Sequence, residues 1–162
     1  QDISSIFNAL SKIPDHDEHE RSRALKSFYD KIEKEKKWQH IIKTSNAQDI
    51  SNIFNALSKI TDDDKRSSVL QFLYSQITRD KLKYIIQDSN PQAISNILGA
   101  LSKISNDQDY KEMIGFYHSI TDDKWQQIFQ NSNPQAISMM LNALSKISDG
   151  SKRSKELKFF YN

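Results

Sequence analysis

Residues 90–104 read NPQAISNILGALSKI, and this stretch decides the fold. Asparagine is a favoured helix N-cap, and proline is tolerated at the first helical position because the N–H that it lacks would have no partner there. The apolar residues then follow the i, i+3, i+4, i+7 spacing of one buried helix face. They are Ile94, Ile97, Leu98, Leu101 and Ile104. The stretch therefore predicts an amphipathic helix with a strong N-terminal cap.

The end of this helix, Ala-Leu-Ser-Lys-Ile, occurs four times. The copies occupy residues 9–13, 56–60, 100–104 and 143–147, at successive offsets of 47, 44 and 43 residues. Two further landmarks recur at nearly the same offsets: a tyrosine (Tyr29, Tyr74, Tyr117, Tyr161) and a Ser-Asn pair at residues 45–46, 89–90 and 132–133. A period near 44 residues that three landmarks share predicts a tandem-repeat protein.

Each repeat reads as three helices, which we call A, B and C. In the second repeat, helix B is expected at about residues 66–77 and helix C at about residues 80–87. The Thr-Asp-Asp sequences that begin at Thr61 and, in the third repeat, at Thr121 are expected to supply helix caps. We predict an all-α fold, a right-handed α-solenoid of three-helix repeats of about 44 residues. Three full repeats (about 1–45, 46–89 and 90–132) and a partial fourth (133–162) would form one domain over 1–162, part of a longer array.

Composition excludes several kinds of site. The chain has no cysteine, which removes disulfides, thiolate zinc sites and cysteine nucleophiles and favours an intracellular reducing compartment. No apolar run approaches the roughly 20 residues of a membrane span, so no membrane partner is expected. No phosphate-binding glycine loop and no tuned acid–base pair is visible, so we expect no enzyme activity and no small-molecule cofactor.

Two residue sets could be misread as functional sites. His16 and His19 lie three residues apart in a charged loop that has no counterpart in the other repeats, so a solvated loop is favoured over a metal site. The recurring tyrosines could stack on bases. Their helical spacing with Leu25, Leu70, Met113 and Leu157 favours packing in the core or between repeats.

A polar stripe runs along the side of every A helix opposite the apolar face. Its positions hold Gln1, Ser5, Asn8, Lys12; Gln48, Asn52, Asn55, Lys59; Gln92, Asn96, Gly99, Lys103; and Gln135, Met139, Asn142, Lys146. The outer glutamine and lysine are constant, whereas the inner two positions vary. Serines and alanines on the flanks of each A helix predict that the A helices pack closely side by side and line a concave wall.

The stripe has the chemistry of a single-stranded RNA surface. The four lysines could meet a row of phosphates, the variable inner residues could read bases, one per repeat, and the glutamines would line the groove. Two alternatives stay open. The stripe could be a solvated face whose lysines are favoured near helix C-termini by the macrodipole, or it could contact a protein.

The A helices resemble the octotricopeptide and heptatricopeptide repeats of organellar RNA-binding proteins, including those with a RAP domain. The resemblance rests on residues 90–104 and their copies, and it implies an α-solenoid that binds single-stranded RNA. A three-helix unit of this length is also similar to armadillo and HEAT repeats, which usually bind proteins. The alternative function is therefore a protein-interaction scaffold, as in an effector of an intracellular bacterium.

Overall fold

The computed structural model describes residues 3–104 and 110–147, and within them the chain is all-helical with no strand. The all-α prediction is therefore confirmed. In chain order the helices are α1 (Ile3–Ser11), α2 (Glu18–Lys34), α3 (Trp38–Thr44), α4 (Ala47–Leu57), α5 (Asp63–Ser75), α6 (Arg79–Asp88), α7 (Pro91–Leu101), α8 (Lys111–His118), α9 (Asp122–Asn131) and α10 (Pro134–Leu144). A short 3-10 turn, Asp15–Asp17, precedes α2.

The helices follow the order A, B, C three times and then A once more. Helices α1, α4, α7 and α10 are the A helices, and α5 and α6 match the predicted helices B and C of the second repeat to within a few residues. The predicted B helix of the fourth repeat, with Tyr161, lies outside the described residues. So does Gln1, the first residue of the polar stripe.

Side-chain caps fix where most helices begin. Asn46, Asn90 and Asn133 each accept a hydrogen bond of 2.8 Å from the backbone N–H three residues on, at the start of α4, α7 and α10. Thr121 caps α9 as predicted. Thr61 does not cap α5, because Asp62 accepts the bond from the N–H of Lys65, and Thr61 instead bonds to the hydroxyl of Ser22.

Helices B and C pack through aromatic side chains. Tyr29 of α2 lies 5.2 Å from the ring of Trp38 in α3, and Tyr117 of α8 lies 5.0 Å from the ring of Trp125 in α9. All four rings are buried. Burial, together with the charges of nearby carboxylates, also raises the pKa of Tyr29, which keeps its phenol neutral. The predicted packing role of these two tyrosines is confirmed.

The A helices lie side by side and run in the same direction. Helix α1 packs against α4, α4 against α7, and α7 against α10. At the N-terminal ends, the Ser4 hydroxyl donates to the Asp49 carboxylate at 2.6 Å. At the C-terminal ends, the Lys59 ammonium donates to the Ser11 carbonyl at 2.9 Å. Like ends therefore meet, and residues at the same repeat position form a line across the A helices.

Candidate binding face along the first helices

The flanks of the A helices show which neighbour each side contacts. Ala56, Ala100 and Ala143 are buried, whereas Ala9, on the first A helix, is exposed. The serines show the opposite pattern. Those of the first three A helices (Ser4, Ser11, Ser51, Ser58, Ser95, Ser102) are buried, and those of the last (Ser138, Ser145) are exposed. The alanine flank of each A helix therefore faces the preceding A helix, and the serine flank faces the following one.

The polar stripe remains on the surface. Every stripe residue that the structure describes, from Ser5 to Lys146, is exposed or half-buried. Because the A helices are parallel and in register, the stripe positions of neighbouring helices lie next to one another. The structure thus brings the predicted set together on one face across four helices. None of these residues is an aspartate or a glutamate.

The stripe lysines reach the helix before their own. The Lys103 ammonium donates to the carbonyl and hydroxyl oxygens of Ser58, at 3.1 and 3.3 Å. Lys146 makes the same pair of contacts with Ser102, at 3.5 and 3.4 Å. The last four carbonyls of a helix lack intrahelical partners and carry the negative end of its dipole. Lys59, Lys103 and Lys146 therefore cap the C-terminus of the preceding A helix.

The lysines also concentrate positive charge along one end of the stripe. Burial lowers the pKa of Lys103, and the positive charges of Arg66, Lys146, Lys59 and Arg21 lower it further. Lys103 as a whole is exposed, but its ammonium group is partly buried against Ser58. A line of cations that repel one another is a favourable place for an anion, because a bound negative charge would relieve that repulsion.

The amide groups of the stripe are held in position by one another. The Gln48 amide donates to the Asn52 carbonyl oxygen at 3.0 Å, and Gln92 makes the equivalent 3.0 Å bond to Asn96. Asn96 in turn donates to the hydroxyl of Ser51 on α4 at 3.4 Å. The Gln–Asn pairs in α4 and α7 therefore present amides whose orientation is set before any ligand arrives.

Gly99 leaves a small depression in the stripe. A cavity of about 120 Å³ lies around it, with Asn55, Asn96, Met139 and Asn142 in its lining. A Cβ atom at Gly99 would meet the Met139 methyl group at 3.7 Å, an ordinary van der Waals distance. The glycine is therefore not needed for packing, and its effect is to make this part of the face concave.

A second row of lysines lies on the C helices and was not predicted. Lys81 of α6 donates to the carbonyls of Lys43 and Ser45, and Lys124 of α9 donates to those of Gln87 and Ser89 at 2.9 Å. Each caps the end of the preceding C helix. The recurrence of lysine at positions 37, 81 and 124, at offsets of 44 and 43, is the signal that could have revealed this row.

The histidines and the largest open cavity described below lie outside the polar stripe. His16, His19, His40 and His118 are all exposed, and no group of three His, Asp or Glu side chains in residues 3–104 and 110–147 is arranged to hold a metal ion. None of the helices that the structure describes is both long and apolar enough to cross a membrane. A separate open cavity of about 940 Å³ lies between α3 and α6, beside Lys81 and the exposed ring of Tyr84.

Comparison of the chain with family models, with curated proteins and with solved structures found no match. The resemblance to octotricopeptide and heptatricopeptide repeats, like that to armadillo and HEAT repeats, remains an expectation from the sequence alone.

Proposed function

We propose that this chain is a right-handed α-solenoid of three-helix repeats and a non-enzymatic scaffold that binds single-stranded RNA along its A helices. The supporting observation is the alignment of the polar stripe. Four parallel helices place lysines at one end of the stripe and amides in its centre, with no carboxylate among the stripe residues. Phosphate contacts would position the strand, and contacts to base edges would confer sequence preference.

The capping role of the lysines is compatible with binding to phosphate. An ammonium group has three N–H donors, and the two bonds that Lys103 makes to Ser58 leave one donor for a phosphate oxygen. Lys12, in the turn directly after α1, is exposed and has no preceding A helix to cap in the described chain. Within the described residues, Lys12→Ala therefore removes a stripe charge without removing an inter-helix cap of the kind that Lys59, Lys103 and Lys146 make.

The second candidate is a protein-interaction scaffold that uses the same face. It is favoured by the fact that Lys59, Lys103 and Lys146 already have protein acceptors, which gives these residues a structural reason to recur. Asparagine and glutamine side chains, as both donors and acceptors, can also hydrogen-bond the backbone of an extended peptide.

The salt dependence of RNA binding tests the proposal. If Lys12, Lys59, Lys103 and Lys146 each neutralise one phosphate, the logarithm of affinity for single-stranded RNA should fall against the logarithm of salt concentration with a slope near −3, because about 0.7 counterion is released per single-strand phosphate. Lys12→Ala should make the slope shallower by about 0.7 and weaken binding to all sequences alike. An electrophoretic or fluorescence titration with mixed-sequence RNA at several salt concentrations measures both quantities.

Lys124→Ala is the matched control. It removes the same charge as Lys12→Ala and, in addition, an inter-repeat cap like those that Lys59, Lys103 and Lys146 make, but it lies on helix C and should leave the slope unchanged. If the variant with all four stripe lysines replaced by alanine is folded and binds RNA as tightly as the parent at low salt, the proposal is wrong. Protein partners along the same face then become the leading explanation.

A further inference from the structure

The open cavity between α3 and α6 lies next to the N-terminal end of the polar stripe. Its volume of about 940 Å³ falls within the range of small-molecule sites, roughly 300–1,000 Å³. Asn46, which caps α4, lies in the cavity wall, and Gln48, the first stripe residue of α4, follows it closely in the chain. The cavity therefore borders the proposed RNA-binding face without being part of it.

An exposed aromatic ring forms part of the cavity wall. Tyr84 is 41% exposed, whereas the other large apolar side chains of the described residues are buried or half-buried. The same repeat position holds His40 in α3 and Gln127 in α9, so the fold does not require a tyrosine there. An exposed ring that packing does not explain is a surface on which a planar ligand can stack.

Two lysines place positive charge in the same cavity. The Lys81 ammonium caps the end of α3 and lies 4.8 Å from the centroid of the Tyr84 ring. Burial lowers the pKa of Lys81, which means that water screens its charge less than that of a fully solvated lysine. The Lys43 side chain is exposed. The wall also holds the carboxylate of Asp80, which can accept hydrogen bonds from amino or hydroxyl groups of a ligand.

The next junction between C helices, α6 with α9, lacks this combination. Lys124 caps α6 there as Lys81 caps α3, so the two junctions share their backbone contacts. Four side chains differ: Gln127 stands in the place of Tyr84, Gln87 of Lys43, Asp88 of Thr44 and Lys83 of Gln39. The second junction has no ring and has a carboxylate where the first has a hydroxyl. The chemistry of the first cavity is therefore not a requirement of C-helix packing.

We propose that this cavity binds a nucleotide, with the base stacked on the Tyr84 ring and the phosphate next to the Lys43 ammonium. A nucleotide combines a planar π system for the ring with a negative charge for the lysines. The amides of Gln39 and Gln76 in the wall can donate to base edges and accept from them. The nucleotide is either free or one residue of a single-stranded RNA on the polar stripe, and only the second case rests on the proposed function.

NMR titration of the nitrogen-15-labelled chain with adenosine 5′-monophosphate tests the site. Saturable shifts should appear at the backbone N–H groups of residues 39–46 and 78–84, and not at those of α9. Adenosine, which lacks the phosphate, and ribose 5-phosphate, which lacks the base, should each bind more weakly. Tyr84→Gln should weaken binding of the monophosphate by about fivefold or more, because stacking is lost. Lys43→Gln should weaken it by about two- to fivefold, as expected for an exposed ion pair.

The variants carry their own controls. Both place at this cavity the residue that the α6–α9 junction holds at the same position, so neither should unfold the chain. Tyr84→Phe keeps the ring and should bind like the parent, as should Gln127→Ala, which changes the equivalent position in α9. Shifts that do not saturate by about 10 mM monophosphate, or equal affinities of the parent and Tyr84→Gln, would overturn the proposal. The exposed ring would then be left as a contact for a protein.

Competition with single-stranded RNA identifies the source of the nucleotide. If a strand on the stripe supplies it, RNA should displace the monophosphate, and Tyr84→Gln should weaken RNA binding without altering its salt dependence, because no charge is removed. If RNA does not displace it, the site binds a free nucleotide. Replacing the four stripe lysines should leave monophosphate binding unchanged in both cases, because those lysines lie at the opposite end of the A helices. Failure of this site and failure of the proposed function are therefore distinguishable.

Discussion

Single residues determine how closely neighbouring A helices approach, and alanine is the clearest example. Ala100 is 1% exposed and faces α4, whereas Ala9 occupies the same repeat position on α1 and is exposed. Interiors packed at crystal-like density do not accept extra methylene groups without strain. The small side chain at this position is therefore a requirement of the side-by-side packing rather than of helix formation, for which leucine is nearly as good as alanine.

This reasoning predicts different outcomes for the same substitution at the two sites. Ala100→Leu should lower the free energy of unfolding by about 1–3 kcal/mol, because the added atoms have no space between α7 and α4. Ala9→Leu should change it by less than about 0.5 kcal/mol, as surface substitutions usually do. Urea unfolding measures both values. Equal losses at the two positions would contradict the packing assigned to the alanine flank.

At the scale of the helix, local signals explain most boundaries and interactions between repeats explain the rest. Asn90 and Pro91 define the start of α7 in the sequence itself, and the apolar spacing identifies its buried face, so this helix could be predicted. The partner of Lys103 could not, because Ser58 lies 45 residues away and belongs to another repeat. Local periodicity places a lysine near a helix C-terminus but does not say which C-terminus it caps.

The same limit explains Thr61. The Thr-Asp-Asp sequences before α5 and before α9 look alike. Thr121 accepts the capping bond of α9, whereas Thr61 bonds to Ser22 of the preceding repeat, so Asp62 caps α5 instead.

The exposure of the stripe follows from the helical-wheel projection of a single A helix, so it could be predicted from the sequence. The alignment of the four stripes into one face depends on how neighbouring A helices are aligned with each other. In the sequence, only the small serine and alanine residues on the helix flanks indicated that alignment.

A cap that extends between repeats should have a measurable effect on stability. Lys59→Met keeps most of the apolar stem but removes the bond to the Ser11 carbonyl, and it should cost about 1 kcal/mol in the free energy of unfolding. Lys12→Met removes the same charge from the turn after α1, which has no preceding A helix in the described chain, and should be close to neutral. The midpoints of urea unfolding compare the two; similar midpoints for both variants would mean that the inter-repeat bond adds nothing.

At the scale of the whole molecule, the repeated interface makes a modular stack the simplest account of the contacts. In such a stack each repeat contacts only its neighbours, and stability is roughly a sum over repeats and interfaces. A compact globular domain has no such property, since an insertion of one repeat length would divide its core. The two arrangements therefore differ in how they respond to an additional repeat.

Duplicating residues 46–89 in tandem tests this difference. The new repeat would place the alanine flank of one copy of α4 against the serine flank of the other, an interface of the kind already formed by α4 and α7. We expect the 206-residue product, 162 plus 44 residues, to fold with more helix and to unfold in urea at a higher midpoint. Its m-value should rise by about a quarter, in proportion to the added surface.

The matched control inserts the same 44 residues after Ile77, in the loop between α5 and α6. This insertion interrupts no helix, but it breaks the order A, B, C, so its helices have no repeat in register on either side. It should fold less stably than the parent. If the in-register duplication is also destabilised, or unfolds with an unchanged m-value, the repeats do not act as interchangeable layers. The proposed solenoid would then have to be abandoned along with the continuous binding face that depends on it.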